Sequence, residues 1–112
     1  MPAAQGAANE LVGVLAQADV VQYQTGAVVS RTLVKLPGGT VTAFAFDAGE
    51  GLSEHTAPFD ALVLMVEGES EVSISGTPYR VKAGELLRLP AHKPHALKAT
   101  SRFKMILVMI KA

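Results

Sequence analysis

With 112 residues the chain has room for one domain and its core, not two. Hydrophobic residues make up 49% and charged residues 18%, the balance of a packed globule rather than a disordered chain. Ten basic and ten acidic side chains cancel, so no basic stripe marks a nucleic-acid partner, and the absence of cysteine excludes disulfides and thiolate chemistry.

Residues 1–8 are small and polar and read as a tail. The opening MPAAQGAANE has neither the basic n-region nor the apolar h-region of a signal peptide, so the cytoplasm is the expected location. Asn9 is placed to cap a short helix reaching Ala18, with Leu11, Val12, Leu15 and Ala18 on one face and Gly13 weakening it. From residue 20 onward the signal changes to strands and turns. Residues 20–23 and 27–36 read as strands, and Pro37-Gly38-Gly39 as a turn. Along 40–47 the threonines and Phe44 and Phe46 point one way, with Val41, Ala43 and Ala45 opposite.

Residues 48–51 break that pattern with two glycines. Residues 61–66 are apolar on both faces, so this strand is expected to be covered on both sides. The longest apolar runs, 61–66 and 105–110, are six residues each, against about 20 for a membrane-spanning helix, and no membrane contact is expected. Residues 71–75 and 79–81 flank Gly76-Thr77-Pro78 as a hairpin, with Val72 and Ile74 facing inward. Strands over 86–89, 96–99 and 102–110 complete a set of about nine, which predicts an all-β barrel or sandwich with a short helix in front. The expected division is a tail and helix over residues 1–19 and a barrel over 20–112.

Three histidines carry the available chemistry: His55, His92 and His95. His55 follows the glycine-rich loop and precedes the apolar strand. His92 and His95 lie in Pro90-Ala91-His92-Lys93-Pro94-His95, an irregular bend bounded by prolines. Imidazole is the commonest metal ligand and titrates near neutral pH, so two such segments meeting across a barrel would form a functional site.

The spacing of these residues resembles the two motifs of the cupin superfamily. Gly49, five residues, His55 and then Gly68 match the first, which runs Gly, five residues, His-x-His, three or four residues, Glu, six residues, Gly. Gly84, five residues, Pro90 and then His95 match the second, which runs Gly, five residues, Pro-x-Gly, two residues, His, three residues, Asn. The similarity covers roughly residues 20–110, and HTAPFDALVLMVEGESEVSISG followed by GELLRLPAHKPHA is similar to small single-domain "cupin 2, conserved barrel" proteins. The resemblance implies a double-stranded β-helix, or jelly-roll, barrel with a site in its interior.

The family's metal ion is typically held by both His and the Glu of the first motif and the His of the second. Here His55 and His95 stand at two of those positions, Ala57 replaces the second His and Ala61 the Glu. His92 stands at the last Gly of the second motif and Ala99 at its Asn. Asp60, one residue early, turns to the opposite face of a regular strand unless a bulge rotates it back. The resemblance therefore implies a divalent ion (Zn, Fe, Mn or Ni) held by His55 and His95 with His92, Glu54 or Asp60 completing the set.

Three functions follow as expectations: a cupin binding a small molecule, a metal-dependent enzyme of the dioxygenase, isomerase or decarboxylase type, or a structural and interaction domain. Whether the chain catalyses a reaction is left open by the residues. The expected pocket contains His55 and His95, their side chains within about 6 Å of each other, with Arg31 and Phe44 beside them. The two apolar faces of residues 61–66, together with residues 105–110, lead to the further expectation of a homodimer.

Overall fold

The computed structural model describes residues 12–111. Nine strands follow in chain order: β1 (Val28–Leu36), β2 (Gly39–Phe46), β3 (Gly51–His55), β4 (Asp60–Glu67), β5 (Glu69–Ile74), β6 (Thr77–Lys82), β7 (Leu86–Leu89), β8 (His95–Lys98) and β9 (Phe103–Ile110). They form a five-stranded sheet ordered β1-β2-β9-β4-β7 and a four-stranded sheet ordered β3-β8-β5-β6, every pair antiparallel. Chain neighbours β2 and β3, β4 and β5, and β6 and β7 lie in different sheets, so the chain repeatedly crosses between them. Among the described residues no helix is long and apolar enough to cross a membrane.

The period-two patterning decides what lies between the sheets. Ala61, Val63 and Met65 on β4 and Phe103 and Met105 on β9 are buried against Phe46, Val72, Val81, Leu89 and Leu97. At the centre, the rings of Phe46 and Phe103 stack at 4.4 Å and 11°. Such a pair contributes about 0.5–1.5 kcal/mol beyond the burial of its area.

A second, smaller cluster covers the outer face of the five-stranded sheet. Val20 and Val21 are buried on Ala43 and Ala45, with Tyr23, Val29, Leu33 and Ile106 packed around them. The strand expected over residues 20–23 is instead an irregular segment held by side chains. Lys104, only 6% exposed, donates from Nζ to the Ala18 carbonyl at 2.6 Å, and Arg31 donates from Nη1 to the Val20 carbonyl at 3.0 Å. The Tyr23 hydroxyl donates to Glu67 at 2.5 Å, while Arg102 and Lys104 lie about 5 Å from its ring.

The helix expected over residues 9–18 lies partly outside the described residues. Residues 12–16 are irregular, and only Gln17–Asp19 forms a single 3-10 turn. Gly13 takes a φ of 122°, which no α-helix accommodates, and Val12 is 96% exposed, so no tertiary contact supports a helix there.

Candidate functional site

β3 was not foreseen from its sequence, Gly-Leu-Ser-Glu-His, because four of its five residues are exposed on a sheet edge and the apolar alternation is missing. It carries the site. Leu52 on β3 pairs with Leu97 on β8, and both pack into the core. His55 pairs with His95. Three steps along β3 are thus matched by two along β8, the signature of a bulge. On a regular strand Leu52 and His55 would face opposite ways. The extra residue turns His55 back, so it lies beside His95 on the inward side.

The two imidazoles meet edge to face, ring centroids 4.3 Å apart at 69°. His95 is 7% exposed and His55 is open to solvent, which puts the pair at the mouth of the barrel. On the other flank of His95, Ile74 of β5 pairs with it and offers a half-buried apolar wall.

Each ring is anchored to the backbone two residues before it. His55 Nδ1 lies 2.7 Å from the Ser53 carbonyl oxygen, and His95 Nδ1 lies 3.1 Å from that of Lys93. A carbonyl only accepts, so Nδ1 carries the proton in both rings and the neutral form keeps its lone pair on Nε2. Burial pushes the His95 imidazole below its usual pKa; the Lys93 carbonyl opposes this and the neighbouring His55 adds to it. Burial thus favours the neutral form of His95.

The loop between β7 and β8 is braced by Asp60, at the start of β4. Its carboxylate accepts from the Ala91 N–H at 2.8 Å and from Arg88 at 3.0 Å. These contacts, the Ala91 N–H first, hold the carboxyl below its usual range. Asp60 thus positions the loop that delivers His95. The same loop is tied to the segment after β3 by the His92 N–H, which donates to the Ala57 carbonyl at 2.8 Å. His92 itself is exposed and sits at φ 65°, in the left-handed region where the motif it resembles has glycine.

The structure brings His55 and His95 together and leaves His92 exposed on the loop. Among the described residues no three His, Cys, Asp or Glu side chains form a group able to hold a metal ion. The expected ligand set of His55, His95 and His92 is not assembled as one group among the described residues. Two imidazoles fall short of the three or more protein ligands that a resident divalent ion takes, so the donor set does not fit Zn, Fe, Mn or Ni.

Arg31 is also displaced from its expected place in the pocket. It pairs with Ala43, whose side chain belongs to the outer cluster, and its guanidinium is held under residues 20–23 with Nε buried and unpartnered. Phe44 does face inward, packed against the core with its ring 6.0 Å from that of Phe46.

The family model described as Cupin domain matches residues 42–111, from the middle of β2 through β9. This chain is a cupin. Among solved structures, a conserved protein of unknown function from Streptococcus pyogenes is 36% identical over 92% of this cupin and 90% of that chain, with a TM-score of 0.86. A cupin 2 conserved barrel domain protein from Leptotrichia buccalis is 45% identical over 84% of this cupin, TM-score 0.81, and this cupin spans 46% of that chain. A cupin superfamily protein from Desulfitobacterium hafniense is 28% identical over 88% of this cupin and 90% of that chain, TM-score 0.84. Comparison with curated proteins gives no match.

Proposed function

We propose that this cupin binds a small molecule at the mouth of its barrel, with His55 and His95 as the polar anchors. The observation that carries the reading is the pair itself: two imidazoles 4.3 Å apart, each held by its own backbone carbonyl. Ring orientations set by such outer contacts are the mark of a site prepared for a ligand. The apolar core below the pair, with half-buried Ile74 beside His95, supplies the hydrophobic flank against which a few polar groups decide orientation.

A thermal-shift screen of small molecules against the wild type and His55→Ala tests this. A ligand present at a hundredfold its Kd stabilises the wild type by about 2.7 kcal/mol. The expected hits raise the wild-type Tm and lose that effect in the variant. Hits that act equally on both proteins would place binding elsewhere.

We also propose that two copies pair through the outer face of the five-stranded sheet. Beyond the patch covered by Val20 and Val21, Leu62 and Leu64 turn outward, and Leu86 and Ile110 are 62% and 54% exposed. A groove of about 310 Å³ lined by Val34, Leu36, Val41, Val108 and Ile110 continues this apolar surface. Surfaces of this kind usually mark interfaces, and two-fold pairing is the commonest way to close them.

A further inference from the structure

The hydrogen-bond polarity of the pair narrows what it takes. Both Nδ1–H groups are spent on backbone carbonyls, those of Ser53 and Lys93. Each neutral ring then offers one remaining polar atom, Nε2, and that atom is an acceptor. Two acceptors on neighbouring rings are answered together when one group with hydrogens to give lies against both. A carboxylate or phosphate would add further acceptors to the same place. A group carrying two N–H donors in one plane answers both lone pairs at once, and a positive charge strengthens each bond.

From this we infer that the His55–His95 pair is a double-acceptor site for small molecules bearing a paired N–H head group, of the amidine or guanidine class, on an apolar body. The apolar body lies against the Ile74 side of the mouth, where β5 runs beside His95. No bond is made or broken in this step; the site recognises a cationic donor and rejects its anionic counterpart. The inference rests on the small-molecule reading above and assigns the ligand class within it.

Benzamidine and benzoate are planar and nearly isosteric, one presenting paired donors and the other paired acceptors. Each is titrated into histidine-15N-labelled protein without added metal at about pH 8, above the ordinary imidazole pKa of about 6.5. Long-range 1H–15N correlation spectra report the tautomer and the environment of every ring nitrogen. The expected result is an Nδ1–H pattern for both rings, Nε2 resonances of both moving with benzamidine, and benzoate weaker by about tenfold or more. In His55→Ala, an exposed position, benzamidine affinity should fall by a similar factor.

Benzoate binding as well as benzamidine at these rings would overturn the donor assignment and leave the pocket reading standing. An Nε2–H pattern in either ring would overturn it as well. If neither compound moves the rings, the double-acceptor site is refuted, and the screen above then decides the pocket reading by itself. Benzamidine affinity unchanged in His55→Ala would likewise overturn the inference, because binding would not involve the pair.

Discussion

Gly68 is a single residue joining β4 in one sheet to β5 in the other. It takes a φ of 74°, and a Cβ built on it would lie 2.4 Å from the Arg102 carbonyl oxygen and 3.1 Å from Cα and Cβ of Phe103. Gly68→Ala therefore adds a side chain in a left-handed conformation and forces the start of β9 to move. The conformation costs about 1–2 kcal/mol, partly offset by about 0.4–1 kcal/mol from a stiffer unfolded chain. Overpacking adds about 1–3 kcal/mol, toward the upper end because the clash is with backbone and Phe103 is stacked on Phe46. The expected loss is about 2–4 kcal/mol. Urea unfolding followed by far-ultraviolet circular dichroism should show a midpoint lower by about 1 M or more, given a slope of about 1–3 kcal/mol per molar. A variant within about 0.5 kcal/mol of the wild type would refute the claim that this motif glycine is required by a close backbone approach.

Other outcomes are expected from the same fold. His92→Gly relieves a left-handed φ of 65° while keeping the backbone bond to Ala57, and should raise stability by about 0.5–1 kcal/mol; an unchanged or lower urea midpoint would contradict this. The Asp47 carboxyl, held near a pKa of about 2 first by the Gly26 N–H and then by Arg102, has a lowered folded-state value. Its contribution is present above the ordinary value of 3.8 and is lost as pH falls toward about 2, so Asp47→Asn should flatten the acid limb of a stability profile between those values. Asp60→Ala frees the Ala91 N–H and should weaken ligand binding at His95 while leaving the bulge at His55 in place, seen as a larger Kd with an unshifted His55 signal. Light scattering at micromolar concentration should give about twice the 11.7 kDa chain mass, and Leu64→Glu should return it to the monomer; a stable 11.7 kDa species in the wild type would contradict pairing.

The strands were legible where one face is apolar and the other is not. In β2, Phe44 and Phe46 alternate with Ala43 and Ala45, and the structure puts the two sets on opposite faces. Alternation says which residues share a face, but not which face is inside when both are covered. Arg31 shares a face with Val29 and Leu33, yet that whole face lies under residues 20–23 and outside the barrel. A bulge between Thr32 and Val34 then moves Lys35 to the other face, opposite Thr40, which no period-two pattern reveals. The same blindness hid the site's construction. The motif spacing singled out His55 and His95, while the bulge that turns His55 inward and the carbonyls that hold both rings are properties of the backbone. The helix expected from Asn9 to Ala18 had periodicity and a cap, but over residues 12–16 the chain finds no surface to pack on.

The central claim is that His55 and His95 act as one site with both Nε2 atoms presented to a ligand. Nuclear Overhauser contacts between the two imidazole rings, recorded with their nitrogen shifts at about pH 8, test it most directly. Strong ring-to-ring contacts and an Nδ1–H tautomer in each ring are expected. Rings without mutual contacts, or with the proton on Nε2, would contradict it.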